Sequence, residues 1–251
     1  MLEKYLNIHP EVQKSISSGY PVVALESHSI VNAIDYPKNI EVSNNICKII
    51  RDNGAIPATI AIINGVLKVG LTEEELNIIL TDTKSTSANI ADLPFAISQS
   101  LTCTTTLSSS ITIANLANIN VLLTNSISGF FKTDYNHIQI PSDLQKLCSN
   151  EIFIICNKVD TNIDLDFTLK YLESNNVIVL SHKTTKYKIN STSEIAKTFK
   201  IKNDLNLGGG FLIINSNFIV DNEQNSHIRQ SYNNARLASK IAKDFSIICK
   251  N

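Results

Sequence analysis

The run Pro21-Val22-Val23-Ala24-Leu25-Glu26-Ser27 places one carboxylate at the end of four apolar residues. A short apolar stretch bounded by Pro reads as a strand buried on both faces. In open α/β sheets ligands bind beyond the carboxyl ends of the strands, and Glu26 stands at such an end. A carboxyl leaving an apolar strand is partly desolvated. Desolvation raises its pKa and suits it to act as a general acid near neutral pH. The plainer reading is a Glu that caps the next segment or pairs with a lysine, and an isolated carboxylate favours that reading until partners are found.

Other segments offer weaker signals. Gly208-Gly209-Gly210 could cradle a phosphate, but it lacks GxGxxG spacing and leads into an apolar run, so a tight turn is the better reading. Thr104 to Thr106 and Ser108 to Ser110 line a helix start, where hydroxyls can hold phosphate or simply supply a polar turn. Ser126-Ile127-Ser128-Gly129 follows a short strand ending at Thr124, a place suited to a binding loop. Asn233-Asn234 reads as a helix cap rather than a ligand contact. No local order suggests a Ser-His-Asp or Cys-His pairing. The five cysteines are odd in number and form no CxxC pair, which points to free buried thiols. The five histidines form no HxH or HxxxH pair, which argues against a histidine-rich zinc site.

The elements that must position these residues alternate in period. Apolar spacing over 40–52 predicts a helix stopped by Gly54. Residues 56–63 read as a buried strand, Asn64-Gly65 as a turn and Val66 to Val69 as the returning strand. Thr72 and Glu75 form a capping box that starts a helix running to about Leu80. Helices are expected over 107–118, 142–147, 165–173 and 231–248, and strands over 120–124, 152–156, 177–180 and 211–214. The alternation argues for one α/β domain over 1–251 with a largely parallel or mixed sheet.

With a net charge of −1, nucleic-acid binding has no electrostatic support. No apolar run reaches the ~18 residues of a membrane span, and Met1 to Pro10 lacks a signal-peptide apolar core. A cytoplasmic location with no membrane partner is the expectation.

Taken together, the segments resemble the pseudouridine-5′-phosphate glycosidase family, the indigoidine-synthase-A-like proteins. The carrying blocks are Pro21 to Ser27, Gly54 to Leu71, Asp92-Leu93-Pro94-Phe95, Asp143 to Leu147, Asp164-Leu165, Tyr171 to Glu173 and Asn233 to Lys243, in order over nearly the whole chain. The resemblance implies a three-layer α/β/α fold around a mixed, largely parallel sheet, and a homotrimer. It implies reversible cleavage of the C–C glycosidic bond of pseudouridine 5′-phosphate to uracil and ribose 5-phosphate, with manganese. A lysine forms a Schiff base with the opened sugar as electron sink, and a glutamate moves protons.

On this resemblance Glu26 falls on the proton donor. Ser142 and Asp143 fall in a substrate-binding loop whose first serine is here Pro141, and Leu107 and Asn233 fall on further substrate positions. Three chemical positions depart from the pattern. The metal aspartate is Gln139, a poorer ligand for a hard cation. The substrate lysine, five residues before Asp92, is Ser87. The Schiff-base lysine, four residues before Asp164, is Asp160, which forms no imine and opposes an anionic ligand. A glycine-rich loop reads Asn125 to Gly129, a His-Arg pair is Phe131-Lys132, and a histidine is Asn32. The stretches Thr185 to Ser191 and Asp221 to Asn233 are shortened. Lys158, two residues before Asp160 in a strand, would share its face and could replace the lysine. The expectation is a degenerate glycosidase of impaired or no native activity that retains a pocket for a nucleotide or sugar phosphate. The rivals are an active glycosidase using Lys158 and a non-catalytic oligomerisation partner of an intact paralogue.

Overall fold

The computed structural model describes residues 2–81, 86–131, 139–160, 162–181, 189, 191–215 and 224–250. Thr185, Asp221 and Lys132 lie outside the described residues, so the start of each shortened stretch is not described.

The chain opens with strand β1 (Leu6–Ile8) and helix α1 (Pro10–Ser17), then enters the expected buried strand β2 (Val22–Glu26). Helix α2 (Ser27–Ala33) starts at the very next residue. Helix α3 (Lys38–Asp52) leads to β3 (Ile56–Ile63) and β4 (Val66–Val69). Their turn takes left-handed backbone at Asn64 (φ 49) and Gly65 (φ 75), which matches the Asn-Gly signal. Helix α4 (Glu73–Thr81) begins at the Thr72–Glu75 capping box, with both reciprocal hydrogen bonds formed at 3.0 and 3.2 Å.

Next come β5 (Ser87–Ala88), α5 (Leu93–Ser98), β6 (Cys103–Thr105), α6 (Leu107–Leu116), β7 (Val121–Leu123) and β8 (Ser126–Ile127). The second half runs α7 (Ser142–Ser149), β9 (Phe153–Cys156), β10 (Lys158–Val159), α8 (Leu165–Ser174), β11 (Ile178–Ser181), α9 (Thr192–Asp204), β12 (Phe211–Ile214) and α10 (Gln224–Lys250). The last helix begins seven residues before the expected Ser231, so Asn233 and Asn234 lie inside it and cap nothing.

The main sheet has the order β1-β4-β3-β2-β7-β9-β12-β11, with β6 also on β3 and β5 on β6. The pairs β3–β4 and β3–β6 are antiparallel and the other pairs parallel. Side chains alternate across each strand. Val22, Ala24, Ala58, Ile154 and Leu212 face one core with Val12, Ile111 and Leu144 of α1, α6 and α7. Val23, Leu25, Phe153, Ile155 and Phe211 face the other with Ile46, Phe199 and Ala238 of α3, α9 and α10. Helices therefore cover both faces, giving the expected three layers.

Beyond the main sheet, β7 and β9 each continue into a two-residue strand, and β8 and β10 pair in parallel. This small ladder stands over the carboxyl ends of the central strands. Gly208-Gly209-Gly210 is a tight turn: the first two take positive φ, and a Cβ on Gly210 would lie 2.7 Å from the Ile152 carbonyl. No helix among the described residues is long and apolar enough to cross a membrane.

Candidate functional site

Four adjacent central strands each give way to polar residues at the carboxyl end. Glu26 ends β2, Thr124 follows β7, Asn157 follows β9 and Asn215 follows β12. The register sets these ends side by side: Leu25 pairs with Leu123, Leu123 with Ile155, and Cys156 with Ile214. The row is the floor of the candidate site.

Glu26 is 5% exposed. It precedes α2, but its side chain makes no capping bond. Its Oε2 instead contacts the hydroxyl of Thr124, and that of Ser29 on the first turn of α2 at 2.8 Å. Burial pushes its pKa from 4.5 up to about 8; the hydroxyl contacts of Thr124 and Ser29 pull the other way, and the neighbouring Asp143 and Asp160 carboxylates push further up. At neutral pH Glu26 therefore holds a proton, as a general acid must.

Asp143, half-buried near the start of α7, accepts from the Ser108 backbone N–H at 2.9 Å and the Ser128 hydroxyl at 2.7 Å. The first of these supplies α6 with an N-terminal partner that Thr106, its N-cap residue, does not provide through its side chain. Burial raises the Asp143 pKa, with Asp160 adding to it. Ser142 reaches Ser108, hydroxyl to hydroxyl, at 3.2 Å. His28 on α2 has its pKa lowered by burial, against an opposing pull from Asp143. Asn32 stands against the His28 ring at 2.9 Å.

Asp160 follows β10, is exposed, and donates its backbone N–H to Ile127 at 3.2 Å. Its charge reaches both Glu26 and Asp143. Lys158 is exposed on β10 opposite Ser126, and the charges acting on Glu26 are those of Asp143 and Asp160.

Glu26, Asp143 and Asp160 thus stand near enough for their charges to act on one another, and Ser142 adjoins Asp143. Ser87 is exposed on β5 opposite Thr104, whose hydroxyl lies 3.4 Å from His28. Leu107 is 2% exposed with its side chain in the core, so only its backbone is left for a ligand. Pro141 is the N-cap residue of α7, and Gln139 is exposed just before it. Asn233 is exposed on α10 and receives a hydrogen bond from Arg236 at 3.1 Å. Its neighbour Asn234 points inward instead. Asn234 is fully buried, donates to Asn157 Oδ1 at 2.6 Å and accepts from Asn215 at 2.6 Å. Asn157 in turn reaches Ser231 at 3.0 Å and Asn125 at 3.3 Å, and Asn125 donates to the Ser29 carbonyl at 2.7 Å. An amide and hydroxyl network therefore links α10 to the surroundings of Glu26.

A glutamine at 139 offers a neutral amide where a hard cation prefers carboxylates. Among the described residues no three His, Cys, Asp or Glu side chains gather closely enough to hold an ion.

Comparison with known proteins follows the same lines. Residues 11–244 match the family model described as indigoidine synthase A like protein. A pseudouridine-5′-phosphate glycosidase of Clostridium botulinum is 39% identical over 230 residues, 86% of this chain and 75% of that protein. One of Petrotoga mobilis is 31% identical over 300 aligned positions, 97% of this chain and 98% of that protein. That alignment exceeds the 251 residues of this chain, so the relative carries internal segments with no counterpart here. A prealnumycin C-glycosynthase, solved in complex with ribulose 5-phosphate, superposes with TM-score 0.82 at 22% identity over 98% of this chain and 99% of its own. An indigoidine synthase A-like protein from Thermotoga maritima superposes with TM-score 0.81 at 17% identity over 96% and 97%. The fold and the match along nearly the whole chain agree: this chain belongs to the indigoidine synthase A-like protein family.

Proposed function

We propose that this protein carries a pseudouridine-5′-phosphate glycosidase site that has kept its acid and lost its imine chemistry. The observation that carries the reading is the place of Asp160. Its carboxylate acts on both Glu26 and Asp143, so it belongs to the same site as the acid. By resemblance it occupies the position of the Schiff-base lysine. A carboxylate forms no imine, and without that sink the electrons of a breaking C–C bond have no acceptor. Glu26 remains able to hold and give a proton at Oε2, and Asp143 with Ser142 remains able to bind sugar hydroxyls. Two further replacements, Ser87 for lysine and Gln139 for aspartate, remove a phosphate partner and a metal ligand by the same resemblance. Losing one member of a concerted site can cost orders of magnitude in rate.

On this reading the retained ligand is a nucleotide or sugar phosphate bound above Glu26, because the cavity that Glu26 lines with Ser29, Thr124, Asn125 and Ser231 measures about 20 Å³, room for a water only. The test is incubation with pseudouridine 5′-phosphate and manganese while following the pseudouridine absorbance. An unchanged absorbance is expected. Turnover would establish the rival reading, an active glycosidase in which Lys158 serves as nucleophile. A homotrimer is the assembly that accords with the resemblance, and the exposed Ile201, Leu205 and Leu207 beside the sheet edge suit a subunit contact. Ligand-free oligomers that show no thermal stabilisation by ribose 5-phosphate would instead support a purely structural partner.

A further inference from the structure

We infer that Thr124 is a positioning residue that accepts the acid proton of Glu26 and donates its own to the carbonyl of Ser126. The inference rests on reading Glu26 as the acid of the site. It follows from counting protons around one hydroxyl. Thr124 Oγ1 contacts Glu26 Oε2, lies 3.1 Å from the Ser126 carbonyl oxygen and lies 3.3 Å from Ser29 Oγ. A threonine hydroxyl has one proton to give. The Ser126 carbonyl can only accept, so the Thr124 proton belongs there unless Glu26 takes it.

With Glu26 neutral, one directed chain places a proton in each of these contacts except the 3.3 Å approach of Ser29 to Thr124. The Asn125 backbone N–H donates to Ser29 Oγ at 3.4 Å, and Ser29 donates to Glu26 Oε2 at 2.8 Å. Glu26 then donates to Thr124, which donates to Ser126. With Glu26 ionised, Thr124 must turn its proton to the carboxylate. The Ser126 carbonyl then faces a lone pair at 3.1 Å, and a part-buried hydrogen bond is lost. The pocket is therefore built for the acid form. Ser126 sits on β8, opposite Lys158 of β10, so the relay also ties the protonation of Glu26 to the small ladder above the site. The charged and titratable groups facing Glu26 are Asp143 and Asp160, both of which disfavour its ionisation, with His28 on α2 kept toward its neutral form by burial.

The experiment is a carbon-13 NMR titration of the Glu26 carboxyl, which needs no substrate and so fails separately from the glycosidase reading. Thr124→Val removes the acceptor while leaving the nearly inaccessible Glu26 as buried as before. If Thr124 accepts from the acid, its pKa falls by about one unit. If Thr124 were a donor to the carboxylate, the same substitution would raise it. Ser29→Ala, which removes a donor, is expected to raise it, and Thr124→Ser to leave it in place. A rise or no change in Thr124→Val overturns the inference. Should that variant fail to fold, infrared spectra of wild type minus Glu26→Gln decide it: a hydrogen-bonded carboxylic-acid carbonyl band at pH 7 is expected, and a carboxylate band there overturns it.

Discussion

Replacing Glu26 by glutamine keeps the shape of the side chain and removes its proton equilibrium. The amide Nε2 can still donate to Thr124 as the acid does. The consequence is a changed dependence of stability on pH. A carboxyl whose folded pKa lies above its unfolded value contributes most below the unfolded value and loses that contribution as pH rises toward the folded one. For Glu26 the window runs from 4.5 to about 8. Within it the native state holds one proton more than the unfolded chain, so stability falls by up to about 1.4 kcal/mol per pH unit. Between pH 5 and pH 8 this amounts to about 3–4 kcal/mol. Urea unfolding of wild type and Glu26→Gln across that range reads the difference directly, because every other titrating group is shared. The variant is expected to lose about 3–4 kcal/mol less than wild type over the window. Parallel curves for the two proteins would refute the claim that Glu26 is buried as a neutral acid.

Asn234→Leu removes three hydrogen bonds of a fully buried amide and is expected to destabilise by about 1–3 kcal/mol, seen as a fall of roughly 2–4 °C in Tm per kcal/mol. Asn233→Leu, on the exposed face of the same helix, should stay within about 0.5 kcal/mol of wild type in the same melt. Gly210→Ala drives a Cβ to 2.5 Å from Leu147 Cδ1 and 2.7 Å from the Ile152 carbonyl and should cost about 1–3 kcal/mol by urea unfolding. Gly208→Ala meets no atom and should cost about 1 kcal/mol, through its positive φ alone. Sedimentation of the full chain is expected to give a trimer, and a concentration-independent monomer would contradict that assembly.

Local chemistry was readable where it is local. The Asn64-Gly65 turn, the Thr72–Glu75 box and the apolar strands follow from nearest neighbours, and all three stand in the fold. Helix α9 escaped notice because Ile195, Ala196 and Phe199 are its only buried apolar residues and are diluted among Lys, Thr and Asp. The first turns of α10 did so because Ile228 is the one buried apolar residue before Ala235. The inward Asn234 was within reach: it shares a helical face with Ala238, Ile241 and Ala242, all buried. Glu26 announces itself as a charge after an apolar run. Thr124, Asn157 and Asn215 carry the same signature after their own strands, yet they become a site only through the order β2-β7-β9-β12. That order is set by long-range pairing, which no local pattern encodes.

The central claim, an acid kept beside a lost imine, is tested most directly by trapping. Wild-type protein and Asp160→Lys are each incubated with ribose 5-phosphate and borohydride, then digested and mapped by mass spectrometry. Wild type is expected to carry no stoichiometric sugar adduct, and Asp160→Lys to carry one at the new lysine. A stoichiometric adduct at Lys158 of the wild-type protein would contradict the account.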